Sequence, residues 1–554
     1  MANQEPIVIK QNTFVGGVQD FVPYHLIRDN AAARLENCEI HTHGTVRRRG
    51  GLRTWYQHDT NATLDPFLLK SFTGIRGIGP IQVACYRSGT DTKVTIDQGG
   101  TSQQSYTMSA PSSFDQTGDI FKLLDRIYFG MAGQQPLYWE SGAANLQQEL
   151  AVPGFPGTTI PPVVTGVFFQ GRGWAGGDPS AEDLVYFSNA LGTSGDEEAS
   201  RSPLIWDRVF QAFRMQTGRV RAIIPFRDIA LVIFTDKGIE MLEPNCCEIL
   251  ETHRITLHWT TGCPFRQTIQ VCGEDIFFMD QEGHIRSLAQ TDLDESRGVL
   301  NAPLSLPIKN IIDRQTKKHL DRSRSAFSKG MYWICMPMDG REVADQWWGW
   351  SIRDQGWVGP YFFGRDIEED VLHGFTVGGM TGCRFDGDEE RLYVLAENHT
   401  ELLKTYIALE TQDFTDDGLL IPVVLATKSY SPKDEVHKTW FHTEQEMRFI
   451  HSPHDVSISL RVEVRADEGG YHDTDPVTLA PDASPFTNSG TMTNSGTQLS
   501  PYTRQNLKTA LTSTAPRGYG LQERVTIRDE LTLWEILTLQ VSGLLDPESF
   551  SGLP

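Results

Sequence analysis

IALVIFTDKGIEMLE, residues 229–243, holds two short runs of large apolar and β-branched residues on either side of Asp236-Lys237-Gly238. Each run is shorter than an ordinary helix, and the Asp-x-Gly between them has the chemistry of a tight hairpin. Asp hydrogen-bonds its own backbone there, and Gly takes positive φ. In the first run Leu231 and Ile233 share one face of a strand. The same unit recurs between Ile81 and Tyr406. QVACYR precedes TKVTIDQ, DRIYFG precedes QPLYWE, GRGWAGG precedes DLVYFSNA, and DIFFMD precedes HIRSL. MYWICMPM is followed by QWWGWSI and RLYVLAE by ELLKTY. The turn recurs as Asp97-Gln98-Gly99 and Asp354-Gln355-Gly356, and with one more residue as Asp280-Gln281-Glu282-Gly283. Calcium loops are a poor alternative, because the alternating acidic ligands of an EF-hand are missing.

Roughly 330 residues of such pairs, at about 40 to 50 residues per four-stranded unit, predict an all-β fold with a β-propeller of roughly six to eight blades. A series of β-sandwiches is the rival architecture. Beyond Tyr406 the strands lengthen. In VSISLRVEVRA, Val456, Ile458, Leu460, Val462 and Val464 alternate with polar residues, and in ELTLWEILTLQVSG, Leu531, Leu533, Leu537, Leu539 and Val541 share a face. Between them the pentapeptide Thr-Asn-Ser-Gly-Thr occurs twice, at Thr487 and Thr493, too polar to pack. This predicts three regions: an N-terminal segment over 1–72, the repeats over 73–406, and a β-rich domain over 407–554 with a flexible Ser/Thr/Asn-rich loop near 484–516. Helix is scarce, the best candidates being Asn30–Glu36 and Ile308–Leu320.

The whole chain of 554 residues carries 49 basic and 71 acidic side chains, a net charge of −22. That balance argues against general binding to nucleic acid or anionic membrane. No apolar run approaches the length of a membrane span, and MANQEPIVIKQNTF has no basic region leading into an apolar one. Eight thinly spread cysteines without a C-x-x-C read as reduced and buried, and the spacing of Cys246 and Cys247 is wrong for zinc.

Catalytic motifs are missing: there is no phosphate-binding P-loop, no H-E-x-x-H and no G-x-S-x-G. His41 and His43 make only two potential ligands and lack a third. Ser351-Ile352-Arg353-Asp354-Gln355-Gly356-Trp357 approaches the sialidase turn, but its Asp is displaced by one residue and the motif does not recur. The expectation is therefore no enzyme, no cofactor and no metal. Trp347, Trp348, Trp350 and Trp357 crowd one region, with Trp348 and Trp350 on one strand face and Trp347 on the other. At least one of them is expected at an interface or ligand surface, the alternative being a blade core.

The stretch NAAARLENCEIHTHGTVRRRGGLRTW, Asn30 to Trp55, resembles the N-terminal signature of tail proteins of short-tailed phages. The residues that carry it are Asn30, Ala31, Leu35, Glu36, Asn37, Gly44, Arg47 to Arg49 and Gly50. The preceding FVGGVQDFVPYHLIRDN fits the same pattern, and FFQGRGWAGGDPSAEDLVYFSNA (168–190) and GCPFRQTIQVCGEDIFFMDQEGHIRSL (262–288) are similar to blades of such proteins. The resemblance implies a tail nozzle, or tail tube, protein of podovirus-like phages. Such a protein is a homohexameric ring in the virion tail, assembled in the host cytoplasm. It carries propellers on its outside and a platform to which both chain ends contribute, and it works without catalysis and without membrane insertion. Its partners would be the portal-proximal adaptor, tail fibres or spikes, and viral DNA that passes without specific binding. Other roles compatible with the fold are a carbohydrate- or receptor-binding propeller of a tail fibre or baseplate, and a propeller glycoside hydrolase. Within the nozzle reading, Arg34, Arg47, Arg48, Arg49 and Arg53 are expected at subunit interfaces, where Arg suits carboxylate pairing, instead of on DNA.

Overall fold

The computed structural model describes residues 7–41, 44–58, 64–75, 78–89, 91–98, 103–108, 118–149, 159–190, 206, 211–244, 249–290, 302–364, 374–385, 389–398, 402–410, 415–430, 440–451, 458–466, 472–473, 477–479, 503–510, 517–518, 521–527 and 534–545. Every hairpin read from the sequence is present as an antiparallel pair.

The repeats form a β-propeller. Among the described residues there are six four-stranded blades and one three-stranded sheet. Blade 1 runs from Leu64–Phe72 to Gln103–Met108, blade 2 from Asp119–Leu123 to Gln147–Gln148, and blade 3 from Thr165–Phe169 to Ala212–Arg214. Blade 4 spans Val220–Phe226 to His253–His258, and the three-stranded sheet spans Gln270–Cys272 to Ile285–Ser287. Blade 5 spans Arg324–Ser328 to Gly356–Tyr361. Blade 6 takes Thr376–Cys383, Arg391–Glu397 and Leu403–Glu410 from the end of the repeats, and its fourth strand, Gly51–Gln57, from the N-terminal segment. The ring therefore begins before residue 73 and recruits residues from both sides of that boundary.

Period-two alternation explains the packing. Each sheet buries both faces against its neighbours, so the core is a circuit of apolar clusters. Blades 1 and 2 share Val83, Val94, Ile127 and Trp139, blades 2 and 3 share Phe121, Tyr128 and Tyr186, and blades 3 and 4 share Trp174, Leu231 and Ile233. Blade 6 meets blade 1 through Tyr393 and Leu395 against Ala84 and Tyr86, which closes the ring. Closure is tight. A Cβ on Gly378 would lie 2.1 Å from the Pro66 carbonyl carbon, and one on Gly379 would lie 2.2 Å from the Leu69 nitrogen. Buried Arg324 of blade 5 staples the same seam, donating from Nε to the carbonyls of Phe67 (3.1 Å) and Gly378 (2.7 Å).

Both chain ends build a second body. The long strand Trp534–Leu545 pairs with Ile7–Gln11, with Val46–Arg48 and with Trp440–His451. A second sheet continues from the last strand of blade 5 through Arg34–Glu36 to Val423–Tyr430, Leu521–Ile527 and Ile458–Ala466. Leu35 is the bridging residue, facing Gly359 on one side and Leu425 on the other. Within 484–516, Thr503–Ala510 is a strand paired with Trp440–His451. The Thr-Asn-Ser-Gly-Thr pair, Cys246, Cys247, His43, Gly99, Val456, Leu531 and Leu533 lie outside the described residues.

Two helix expectations are corrected. Asn30–Glu36 is not helical: Ala32 bridges Val18 and Arg34–Glu36 is a strand. The alanines serve close approach instead, Ala31 and Ala32 being fully buried, with Ala32 N–H donating to the Gly17 carbonyl and Ala33 N–H to that of Ala426. Sheet pairing outweighs the helix propensity of three alanines. Ile308–Leu320 is helical only in pieces, Lys309–Asp313 and Lys317–Arg322, because the backbone between them pairs with Pro337 and Met338.

Candidate functional site

The arginines and tryptophans singled out from sequence converge where the N-terminal hairpin, the end of blade 5 and Thr415–Asp416 meet. The hairpin forms as expected, Cys38–Ile40 against Val46–Arg48, with Gly44 at φ 77° in its turn. His41 sits beside that turn, its N–H donating to the Thr45 carbonyl.

Arg49 lies at the centre of the junction, 1% exposed. All five guanidinium N–H groups have acceptors. Nε reaches Asn37 Oδ1 at 3.0 Å, and Nη1 reaches the Gly50 carbonyl and Asp416 Oδ1, both at 2.9 Å. Nη2 reaches the Phe362 carbonyl at 2.9 Å and Asp416 Oδ2 at 2.5 Å. The guanidinium also lies 3.9 Å from the Phe363 ring centroid, and the Gly364 N–H donates to Asp416 Oδ2. Asn37 completes the hub from a left-handed backbone (φ 54°), accepting from Phe362 N–H and donating to the Pro422 carbonyl at 2.7 Å. One guanidinium thus ties together the hairpin, blade 5 and the entry to the second body.

The other arginines divide by environment. Arg48 is 2% exposed, and burial, followed by the neighbouring Arg49 charge, pulls its pKa down to about 10. Arg47 is half-buried and pairs with Glu39 at 3.0 Å. Arg34 pairs with Glu36 while almost half of its side chain remains exposed, and Arg53 is exposed on the outer strand of blade 6. The expectation of an intersubunit role is corrected for Arg48 and Arg49. Both are used inside the chain, because the hairpin strand is covered on both faces.

The four tryptophans are likewise buried: Trp347, Trp348 and Trp357 are at most 1% exposed and Trp350 is 8% exposed. The expected alternation holds, with Trp347 packing between blades 5 and 6 and Trp348 and Trp350 facing the second body. The interface alternative is corrected in favour of the blade core. Trp357 Nε1 donates to the Leu304 carbonyl at 2.8 Å, and its backbone carbonyl accepts from Val18 N–H. The exposed large apolar residues lie elsewhere, including Phe21, Tyr24 and Leu26 in the N-terminal segment and Trp259 at the end of blade 4.

Sequence reading passed over Asn37 as a hub, Asp416 and Arg324. Asp416 was visible only as part of the acidic turn at Asp413–Gly418, and nothing local marks Arg324. Six described cysteines are free and buried, and among the described residues no three His, Cys, Asp or Glu side chains gather as metal ligands. No helix among them is long and apolar enough to cross a membrane.

No family model and no curated protein matches the chain. Among solved structures it is similar to the extracellular domain of the one-component system BT4673 from B. thetaiotaomicron, at 8% identity and a TM-score of 0.40 over 81% of this chain and 57% of that one. It is also similar to PorZ, a bacterial surface component of the type-IX secretion system of Porphyromonas gingivalis, at 9% identity and a TM-score of 0.36 over 82% of this chain and 60% of that one. A third likeness is YCF48 bound to D1 peptide, at 12% identity and a TM-score of 0.36 over 64% of this chain and 96% of that one. The chain spans less than two thirds of the length of the first two.

Proposed function

We propose that this protein is the nozzle of a short-tailed, podovirus-like bacteriophage, a homohexameric ring that encloses the DNA channel below the portal and adaptor. The reading rests on the Asn30–Gly50 signature. The observation that carries it furthest is that this signature forms the mechanical joint of the fold. Asn37 and Arg49 clamp blade 5 to the body that both chain ends share. A propeller held in this way moves with its body, as a ring that bears internal DNA pressure requires. The function is physical. A net charge of −22 disfavours the counterion release through which a basic wall would hold DNA, so a polyanion can slide past.

With Arg48 and Arg49 committed inside the chain, the ring joint falls to surfaces that remain exposed. These are Arg34, Arg53 and the apolar loop with Phe21, Tyr24 and Leu26. Obligate interfaces use apolar and arginine anchors of this kind. Negative-stain microscopy of the purified protein tests the reading. A six-fold ring with a central hole and peripheral lobes is expected. A dispersed particle that binds bacterial glycans and never closes into a ring would overturn it in favour of a receptor-binding propeller.

A further inference from the structure

A cavity of about 430 Å³ lies among the blade 3, blade 4 and blade 5 segments of the propeller. Its walls come from the start of blade 4 (Arg219, Arg221), the turn at Arg266–Gln267, the Glu182 hairpin of blade 3, and Asp321 before blade 5. Three guanidiniums in one cavity are conspicuous in a chain with so large an excess of acid. Arg219 is engaged by Glu182 at 2.9 Å. Arg221 is different: its Nε is buried and meets no acceptor among the described residues. Arg266 is half-buried, and its pKa is lowered by desolvation, against the opposing pull of Asp119 and with the Arg221 charge. Asp119 is itself shared, accepting from Lys70 Nζ at 2.5 Å and from Gln267 Nε2 at 3.4 Å. A buried charged donor without an acceptor, beside a second guanidinium, is costly unless an anion completes the site.

We propose that this cavity binds a small ligand through an oxyanion held between Arg221 and Arg266. The planar fork of Arg matches carboxylate and phosphate bidentately, and Gln267, whose amide also donates to Asp119, lines the cavity beside it. The volume admits a body of sugar or nucleotide size, and the apolar part of the wall, Val164, Val220, Pro264 and Phe265, gives it a face to lie on. The site is built entirely within one chain, so it does not depend on ring formation.

Isothermal titration of the full chain with inorganic phosphate and, separately, with glucuronate tests this. Saturable one-to-one binding of at least one anion is expected, weakened at least about tenfold by Arg221→Gln and by Arg266→Gln and reduced by added salt. Binding of phosphate alone identifies a phosphorylated ligand, and binding of glucuronate alone identifies an acidic sugar. Arg221→Lys keeps the charge but loses the fork, and is expected to retain partial binding with an unchanged circular dichroism spectrum. Should either Gln variant fail to fold, diffraction from wild-type crystals soaked in phosphate or glucuronate replaces it, with anion density expected against Arg221 and Arg266. No saturable binding of either anion, or binding indifferent to both substitutions, would overturn the proposal.

Discussion

Removing one half of the Arg49–Asp416 pair should destabilise the chain more than removing both. Arg49→Met deletes five hydrogen bonds and leaves the buried Asp416 carboxylate with the Gly364 N–H and the nearby charge of Arg48. Asp416→Leu leaves a cation at 1% exposure with only neutral acceptors. Breaking a buried pair from one side costs about 3–5 kcal/mol, whereas replacing both ions by apolar groups of similar volume is often close to neutral. Arg49 also serves the carbonyls of Gly50 and Phe362, so the double variant Arg49→Met/Asp416→Leu should still lose about 1–3 kcal/mol for acceptors left unpaired. The coupling between the two sites is then at least about 3 kcal/mol. Urea unfolding followed by tryptophan fluorescence is a suitable assay, because Trp347 packs on Phe363, 4.2 Å between ring centroids, beside the pair. Single variants that each lose less than about 1 kcal/mol, or whose losses simply add, would refute the assignment of this pair as the joint between propeller and second body.

Other perturbations address other parts of the fold. Gly17→Val places a Cβ 2.3 Å from the Trp357 carbonyl at φ 65°, so it should detach the N-terminal segment and expose that segment to limited proteolysis. Arg324→Met should cost about 3 kcal/mol or more in urea unfolding, since it strips donors from the carbonyls of Phe67 and Gly378 at the ring seam. His58, whose pKa burial lowers to about 3, is neutral in the folded chain at pH 7. Its contribution is fully present above the unfolded value near 6.5 and is lost as pH falls toward 3, at up to about 1.4 kcal/mol per pH unit. The stability deficit of His58→Phe relative to wild type should therefore shrink between pH 6.5 and 4. Asp20 and Asp345, raised by burial to about 6, act in the opposite direction in both proteins and cancel from that difference.

The strands were legible because each hairpin carries its own apolar alternation, several with an Asp-x-Gly turn, and needs no distant partner to be recognised. Asp280 shows the mechanism, accepting from Glu282 N–H and His284 N–H as the turn requires, with Gly283 at φ 90°. Ring closure was not legible. It depends on Gly51–Gln57 pairing with Leu403–Glu410, as in Lys404 opposite Gln57 and Ala408 opposite Leu52, and on Gly378 and Gly379 meeting blade 1, contacts that leave no local trace. The alanines after Asn30 were misread for the same reason. Small side chains favour a helix when isolated, but here they let two backbones approach, and only the partner strand reveals it. The arginine run reads from sequence as a subunit-interface element. Its fate was decided by Asn37 and Asp416, which with the carbonyls of Gly50 and Phe362 fill every donor of Arg49 at a buried site.

The most direct test of the nozzle proposal is the native mass of the purified chain. The account predicts a species of six copies of the 62.1 kDa protomer that persists on dilution and dissociates when Phe21, Tyr24 and Leu26 are replaced together by Ser, with the monomer still folded. A wild-type protein that runs as a 62.1 kDa monomer at every concentration, alone or with its tail adaptor, would contradict it.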